Sequence, residues 1–267
     1  MANEQRRVAW VTGASRGVGR GIAVALGAAG WTVWVTARSC AENGLTSHLP
    51  GTVESVAAEV TAAGGVGLAR ACDHSDDDQV RAVVAEIEAT GPLHLLVNNV
   101  WGGYERLNSG GWEEWNAPVW EQPLQLFDAM FTHGVRAHYV ASALCAPLLI
   151  RSAPSTIVTV SMEAGAAHSA DHGVGYSMAK AADDRLALAL SGQLAAAQVA
   201  SIALHPGLVR TEGVLQFADF FDFSDSQSPE GVGRVVAAFA ADTEAMSLTG
   251  QALTVPELAG RYGVAVA

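Results

Sequence analysis

The sequence predicts a doubly wound α/β fold: one parallel sheet with helices on both faces. Three observations lead there. Seven short runs rich in β-branched, aromatic and aliphatic residues recur along 267 residues, with helical stretches between them. The runs are apolar at consecutive positions instead of alternating, as strands covered on both faces are. The first run opens straight into a glycine-rich turn and then a helix, the start of a repeating strand–helix order. Half the residues are apolar, enough for one full core and a single domain over 1–267.

In chain order, the strands are expected over 8–12, 32–36, 67–71, 93–97, 156–160, 199–204 and 248–254. Each is a β-branched or aromatic run of strand length. Helices are expected over 18–29, 53–63, 76–90, 124–150, 177–197 and 230–241. Several carry acidic residues in the first turn, among them Glu54, Asp76-Asp77-Asp78 and Glu230, which the helix dipole favours. The stretch 101–121 holds four of the seven tryptophans and shows neither a strand nor a helix period. A loop of that length in a compact domain reads as a lid or binding loop, the alternative being a satellite apolar cluster. A second candidate lid, 212–229, is rich in Phe and Asp.

The formal charge of −12 repels polyanions and argues against nonspecific nucleic-acid or acidic-membrane binding. Cys40, Cys72 and Cys145 are odd in number and show no metal spacing, which fits reduced thiols in a cytoplasm. The most apolar region, 186–204, is interrupted by Ser191, Gln193, Gln198 and Ser201 and reads as a buried helix and strand, with no membrane insertion. Arg6-Arg7 lacks the apolar stretch of an export signal, so a cytoplasmic location is expected.

The turn Thr12-Gly13-Ala14-Ser15-Arg16-Gly17-Val18-Gly19 would let backbone N–H groups and a helix N-terminus approach a pyrophosphate. The second strand ends in Arg38, where NAD-binding sites of this kind carry an acidic residue. Arg16 can reach the same corner, and two guanidinium groups there suit the 2′-phosphate of NADP(H). Farther on, Tyr176 and Lys180 stand at i and i+4 on a helix face. The chain has 14 arginines and only this one lysine. An ammonium beside a phenol lowers its pKa, which would suit Tyr176 as general acid.

Together these residues resemble the conventional short-chain dehydrogenase/reductase family, a single Rossmann-like domain, over nearly the whole chain. Further stretches carry the likeness: Asp73 after the third strand, Asn98-Asn99-Val100 after the fourth, and His205-Pro206-Gly207-Leu208-Val209-Arg210-Thr211 after the sixth. Asn-Asn-Val-Trp-Gly-Gly from Asn98 and the tail Glu257-Leu258-Ala259-Gly260-Arg261-Tyr262-Gly263 look most like the subgroup named dehydrogenase/reductase family member 1. The resemblance implies NADP(H) held by Gly13, Ser15, Arg16, Gly17, Val18, Gly19, Arg38, Asp73, Asn98, Pro206, Gly207, Val209 and Thr211, with Tyr176 and Lys180. It implies Ser161, Tyr176 and Lys180 as catalytic residues, a carbonyl or alcohol as small-molecule substrate, and a homodimer or homotetramer through 124–150 and 177–197.

Two positions depart from the family pattern. Met162 aligns with the usual serine and Ser161 lies 15 residues before Tyr176, so either Ser161 serves or another donor such as Ser169 or His172 turns inward. The usual helix-four asparagine aligns with Gly134, which leaves water or a neighbour such as His133 behind Lys180. His168 and His172 lack a third ligand, and no metal is expected. Asp183 and Asp184 read as solvated or at a subunit contact, and His133 and His138, five apart, as independent. The function expected is NADPH-dependent reduction of a hydrophobic ketone or aldehyde, or the reverse. A lyase or isomerase on the same fold, or a noncatalytic NADP(H) sensor, are the alternatives.

Overall fold

A computed structural model describes residues 6–108, 111–163 and 173–267. Its seven strands are β1 (Val8–Thr12), β2 (Thr32–Ala37), β3 (Val66–Ala71), β4 (Leu95–Asn98), β5 (Ser155–Val160), β6 (Val199–His205) and β7 (Ala252–Thr254). They form one sheet in the order β3-β2-β1-β4-β5-β6-β7, every pair parallel. The order reverses between β1 and β4, which opens a crevice at the carboxyl ends of those strands.

Helices α1 (Gly17–Ala28), α2 (Val53–Ala62) and α3 (Asp77–Thr90) follow the first three strands. Asp76 caps α3, its carboxylate accepting from the Asp78 and Gln79 amides at 2.9 and 3.2 Å. The region expected to be one helix over 124–150 is α6 (Leu124–Met130), a π-helical turn (Phe131–Arg136) and α7 (Ala137–Arg151), following one another without a break. The helix after β5, α8 (Val174–Leu194), starts three residues earlier than expected and so takes Tyr176 into its first turn.

Between β4 and α6 the loop that showed no period contains two short helices, α4 (Tyr104–Asn108) and α5 (Trp112–Asn116). The second candidate lid contains α9 (Glu212–Leu215) and is followed by α10 (Pro229–Ala241). The last strand is shorter than expected because Ala245–Leu248 is a 3-10 turn and Gly250, at φ +81°, breaks the run. A final helix, α11 (Val255–Tyr262), adds to the expected set; a capping box between Thr254 and Glu257 starts it.

Successive residues of β1 feed opposite cores. Ala9 and Val11 face Ile22, Leu26, Val232 and Phe239 of α1 and α10, while Val8 and Trp10 face Val83, Ile87 and Leu149 of α3 and α7. This double burial is why the strands read as unbroken apolar runs.

Candidate functional site

The end of β1 and the end of β4 are tied together at the crevice. Thr12 Oγ1 accepts from the Asn99 and Val100 amides at 2.9 and 3.2 Å, and Asn99 Nδ2 donates to the Thr12 and Gly13 carbonyls, both at 3.0 Å. Gly13 has φ +64°, and a Cβ there would lie 2.6 Å from Val100 Cα, so only glycine lets the two turns meet. A cleft opens beside them, walled by Gly13, Ser15, Gly17, Val18, Thr211 and Glu212. Gly17 starts α1, and its amide donates to the Glu212 carboxylate at 2.9 Å. An anion thus already sits on the N-terminal amide, as the dipole and unpaired N–H groups there favour.

At the other end of the cleft lie Arg16, Arg38, Ser39, Thr46 and Ser47. Arg16 donates to Ser47 Oγ and Ser39 Oγ at 2.7 Å each, and its buried Nε has no hydrogen-bond partner among the described residues. Burial lowers the pKa of the Arg16 guanidinium from its ordinary value, Glu212 opposes that, and the like charge of Arg38 adds to it. Arg38 pairs with Glu105 of α4 across the cleft mouth. A glycine turn whose Gly17 amide holds a carboxylate in this structure, and an orphaned guanidinium N–H, are donors of the kind that fit the phosphates of a dinucleotide. His74 also lines the cleft; it stacks on Trp10 and meets Thr36 Oγ1 at 3.0 Å, and burial drives its pKa down to about 3.

Tyr176 and Lys180 stand beyond β5, both buried. The phenol oxygen lies 3.0 Å from Tyr104 Oη and 3.1 Å from Met162 Sδ, and the rings of Trp101 and Trp115 pack on Tyr176 at 5.6 Å. Burial, then Tyr104, then the Asp183 carboxylate hold the phenol well above its ordinary value of 10. That is opposite to the depression expected from Lys180: burial dominates, and the ammonium is engaged elsewhere. Lys180 Nζ donates to Asp183 Oδ2 at 3.1 Å and Val160 O at 3.3 Å, under the Trp101 ring at 4.0 Å from its centroid.

The short chain dehydrogenase family profile matches residues 7–219. The chain belongs to the short-chain dehydrogenase family. It is 36% identical to mouse Dehydrogenase/reductase SDR family member 1, covering 99% of this chain and 84% of that protein. It is 34% identical to the human protein of the same name, covering 97% and 82%. A solved short chain dehydrogenase of Mycobacterium thermoresistibile, 28% identical, superposes with a TM-score of 0.81 over 97% of this chain and 88% of that one. A 3-oxoacyl-[acyl-carrier protein] reductase of Brucella melitensis, solved in complex with NAD, is 25% identical with a TM-score of 0.78, covering 95% and 96%.

Against that family's pattern, several residues stand elsewhere than the sequence suggested. Ser161 does not reach the phenol; its hydroxyl donates to the Lys180 carbonyl at 3.1 Å, and Met162 takes the place beside Tyr176. The alternatives Ser169 and His172, and with them His168, lie outside the described residues. Asn98 turns into the core, donating to Ser142 Oγ at 2.8 Å, and it is Asn99 that lines the cleft. Asp73 folds back on Ser75, with its carboxylate 2.9 Å from the amide and 2.7 Å from the hydroxyl, and its neighbour His74 faces the cleft. Pro206 and Gly207 form the turn after β6, and Val209 is buried behind Thr211, which lines the cleft.

Gly134 lies on the π turn and has no side chain because the Trp101 ring fills that space; a Cβ would sit 2.7 Å from Trp101 Cε3. Among the described residues, the side chain that meets the Lys180 ammonium is Asp183, a residue the sequence reading had not placed there. Asp183 is fully buried, not solvated, and its Oδ1 meets His138 Nδ1 at 2.8 Å. Asp184, read with it, instead meets His205 Nε2 at 2.9 Å. Tyr104, Asn99, His138 and the hydroxyls of Ser39 and Ser47 are the site residues that sequence reasoning missed. An Asp three residues after the lone lysine was a visible signal for one of them, since it marks the carboxylate that His138 meets. Among the described residues, no group of three metal-ligating side chains occurs and no helix is long and apolar enough to cross a membrane.

Proposed function

We propose that this protein is an NADP(H)-dependent carbonyl reductase, or alcohol dehydrogenase in reverse, acting on a ketone, aldehyde or secondary alcohol of apolar or aromatic character. The observation that carries this is Tyr176, buried one helical turn before Lys180 and in contact with Tyr104 and Trp101, which line the cleft into which the glycine turn opens. When bound, the nicotinamide supplies or accepts the hydride. Tyr176 gives its proton to the substrate oxygen; held above its ordinary value, the phenol is in the acid form that this step needs but is a weaker acid than a phenol depressed by Lys180 would be. The Tyr104 hydroxyl, 3.0 Å away, offers the second hydrogen bond that Ser161 does not.

The preference for NADP(H) rests on Arg16, with Arg38 and the hydroxyls of Ser39 and Ser47 at the ribose end. Asn99 and Gly17 would hold the pyrophosphate side, His74 the adenine side, and Thr211 with the Pro206-Gly207 turn the nicotinamide side. Trp101, Tyr104 and Trp115 wall the phenol, which supports an apolar substrate. Exposed Tyr139, Met178 and Leu188 on α7 and α8 support a homodimer or homotetramer through those helices; a cytoplasmic location is part of the same proposal.

The test is NADPH oxidation followed by absorbance against hydrophobic and aromatic aldehydes, ketones and quinones. Tyr176→Phe is assayed alongside, with NADPH and NADH binding measured for both proteins. Turnover lost in the variant while NADPH binding survives supports the reading. NADH binding at least as tightly as NADPH overturns the cofactor assignment. A second reading, a nucleotide-binding protein without turnover, draws on Met162 lying where a catalytic hydroxyl is usual. Tight binding with no oxidation by the wild type across the panel would favour it.

A further inference from the structure

Behind Lys180 runs a chain of buried polar groups that the proposed chemistry does not use. Lys180 Nζ donates to Asp183 Oδ2, Asp183 Oδ1 faces His138 Nδ1 at 2.8 Å, and His138 Nε2 faces the Val100 carbonyl at 2.9 Å. His138 is 1% exposed and Asp183 not at all. His138 stands four residues after Gly134, where the backbone leaves no side chain to reach across to α8. It therefore joins three segments at once: α7, the Lys180 helix, and the turn after β4 that packs on Gly13.

We propose that His138 and Asp183 are positioning residues for Lys180, doing from one helical turn farther on what no side chain at position 134 can do. The proposal rests on the reading of Tyr176 and Lys180 as the acid and its partner. A carbonyl can only accept, so His138 Nε2 carries a proton. Its Nδ1 faces a carboxylate, so a second proton lies between ring and Asp183. Both ring nitrogens thus face acceptors, which holds the ring and the Asp183 carboxylate in place beneath the Lys180 ammonium. Burial alone would raise the Asp183 pKa, but the charges of His138 and Lys180 and their hydrogen bonds bring it below its ordinary 3.8. The other titratable groups whose charges bear on this set are Tyr176 on α8, Tyr104 on α4 beyond it, and His74 on the far side of His138.

Because the chain has a single lysine, protein grown on side-chain-labelled lysine gives one side-chain signal, which can be titrated by NMR without any turnover. Asp183→Asn removes the countercharge, and the signal then titrates at lower pH, by about one unit or more. His138→Gln leaves the carboxylate unbalanced, and the signal then titrates at higher pH. A merely structural role would move both variants the same way. In turnover, Asp183→Asn lowers kcat at least about tenfold with KM for the carbonyl within about threefold. A lysine signal that is unmoved, or that moves in one direction in both variants, overturns the proposal. If either variant fails to fold, histidine-labelled wild-type protein decides. Protons on both His138 ring nitrogens at neutral pH uphold the proposal, and a bare Nδ1 overturns it. Absence of turnover in the wild type would sink the reductase reading, while the lysine titration would still stand or fall by itself.

Discussion

The nucleotide half of the cleft is built from main chain, and its chemical half from side chains drawn out of distant segments. Around Gly13 and Gly17 the working groups are amides and carbonyls set by two neighbouring turns, with Asn99 as their clamp. Around Tyr176 they are Tyr104, Met162, Trp101, Lys180 and Asp183, supplied by the 101–121 loop, the end of β5 and α8. Main-chain sites tolerate little change in backbone and much in side chains. Side-chain sites can trade one donor for another: Met162 stands where a serine is usual, and the Tyr104 hydroxyl meets the phenol from another loop.

Substitutions can break that contrast. The largest effect falls on Tyr176→Phe: kcat drops by about 10³-fold, the range for removal of a general acid, while NADPH binding, measured by fluorescence, stays within about threefold. If binding falls as far as turnover, the two halves are not separable. Gly13→Val strikes the other half. Its side chain would enter at 2.6 Å from Val100 Cα in a left-handed conformation, and NADPH affinity falls by about 100-fold, with a lower melting temperature. Arg16→Ala sharpens the cofactor assignment: about tenfold weaker NADPH binding, the worth of a charged hydrogen bond, with NADH binding little changed by calorimetry.

His74 gives a pH dependence of stability. The folded protein keeps the ring neutral down to about pH 3, whereas the unfolded chain takes up a proton near 6.5. Its stabilisation is therefore complete above about pH 6.5 and is lost as pH falls toward 3, at about 1.4 kcal/mol per unit. His74→Gln flattens that part of a denaturant-midpoint profile. The smallest effect is expected for Ser161→Ala. It loses about 1 kcal/mol of stability with the hydrogen bond to the Lys180 carbonyl, and turnover stays within about threefold. A loss of turnover comparable to Tyr176→Phe would return Ser161 to the chemistry.

The same division explains what could be read in the sequence. Strand order and the glycine cradle were legible because each is local: an apolar run, a turn, a helix start. The π turn at Phe131–Arg136 was not, since one extra backbone residue leaves the apolar pattern of a long helix nearly intact. Helices α4 and α5, at five residues each, are too short to display a period. Asp183 reads as a surface residue in the sequence because its partner His138 is 45 residues away and becomes a neighbour only when α7 and α8 pack side by side. Ser161 sits where its position suggests, but which way a hydroxyl turns at the end of β5 depends on the Lys180 carbonyl, which no spacing reveals.

Trp112 of α5 stacks on Phe217 at 4.9 Å and lies 5.3 Å from Phe220, so the two loops over the cleft share one aromatic contact. Loosening either segment uncovers the aromatic face that the other packs against, so α5 and the segment after α9 stabilise each other.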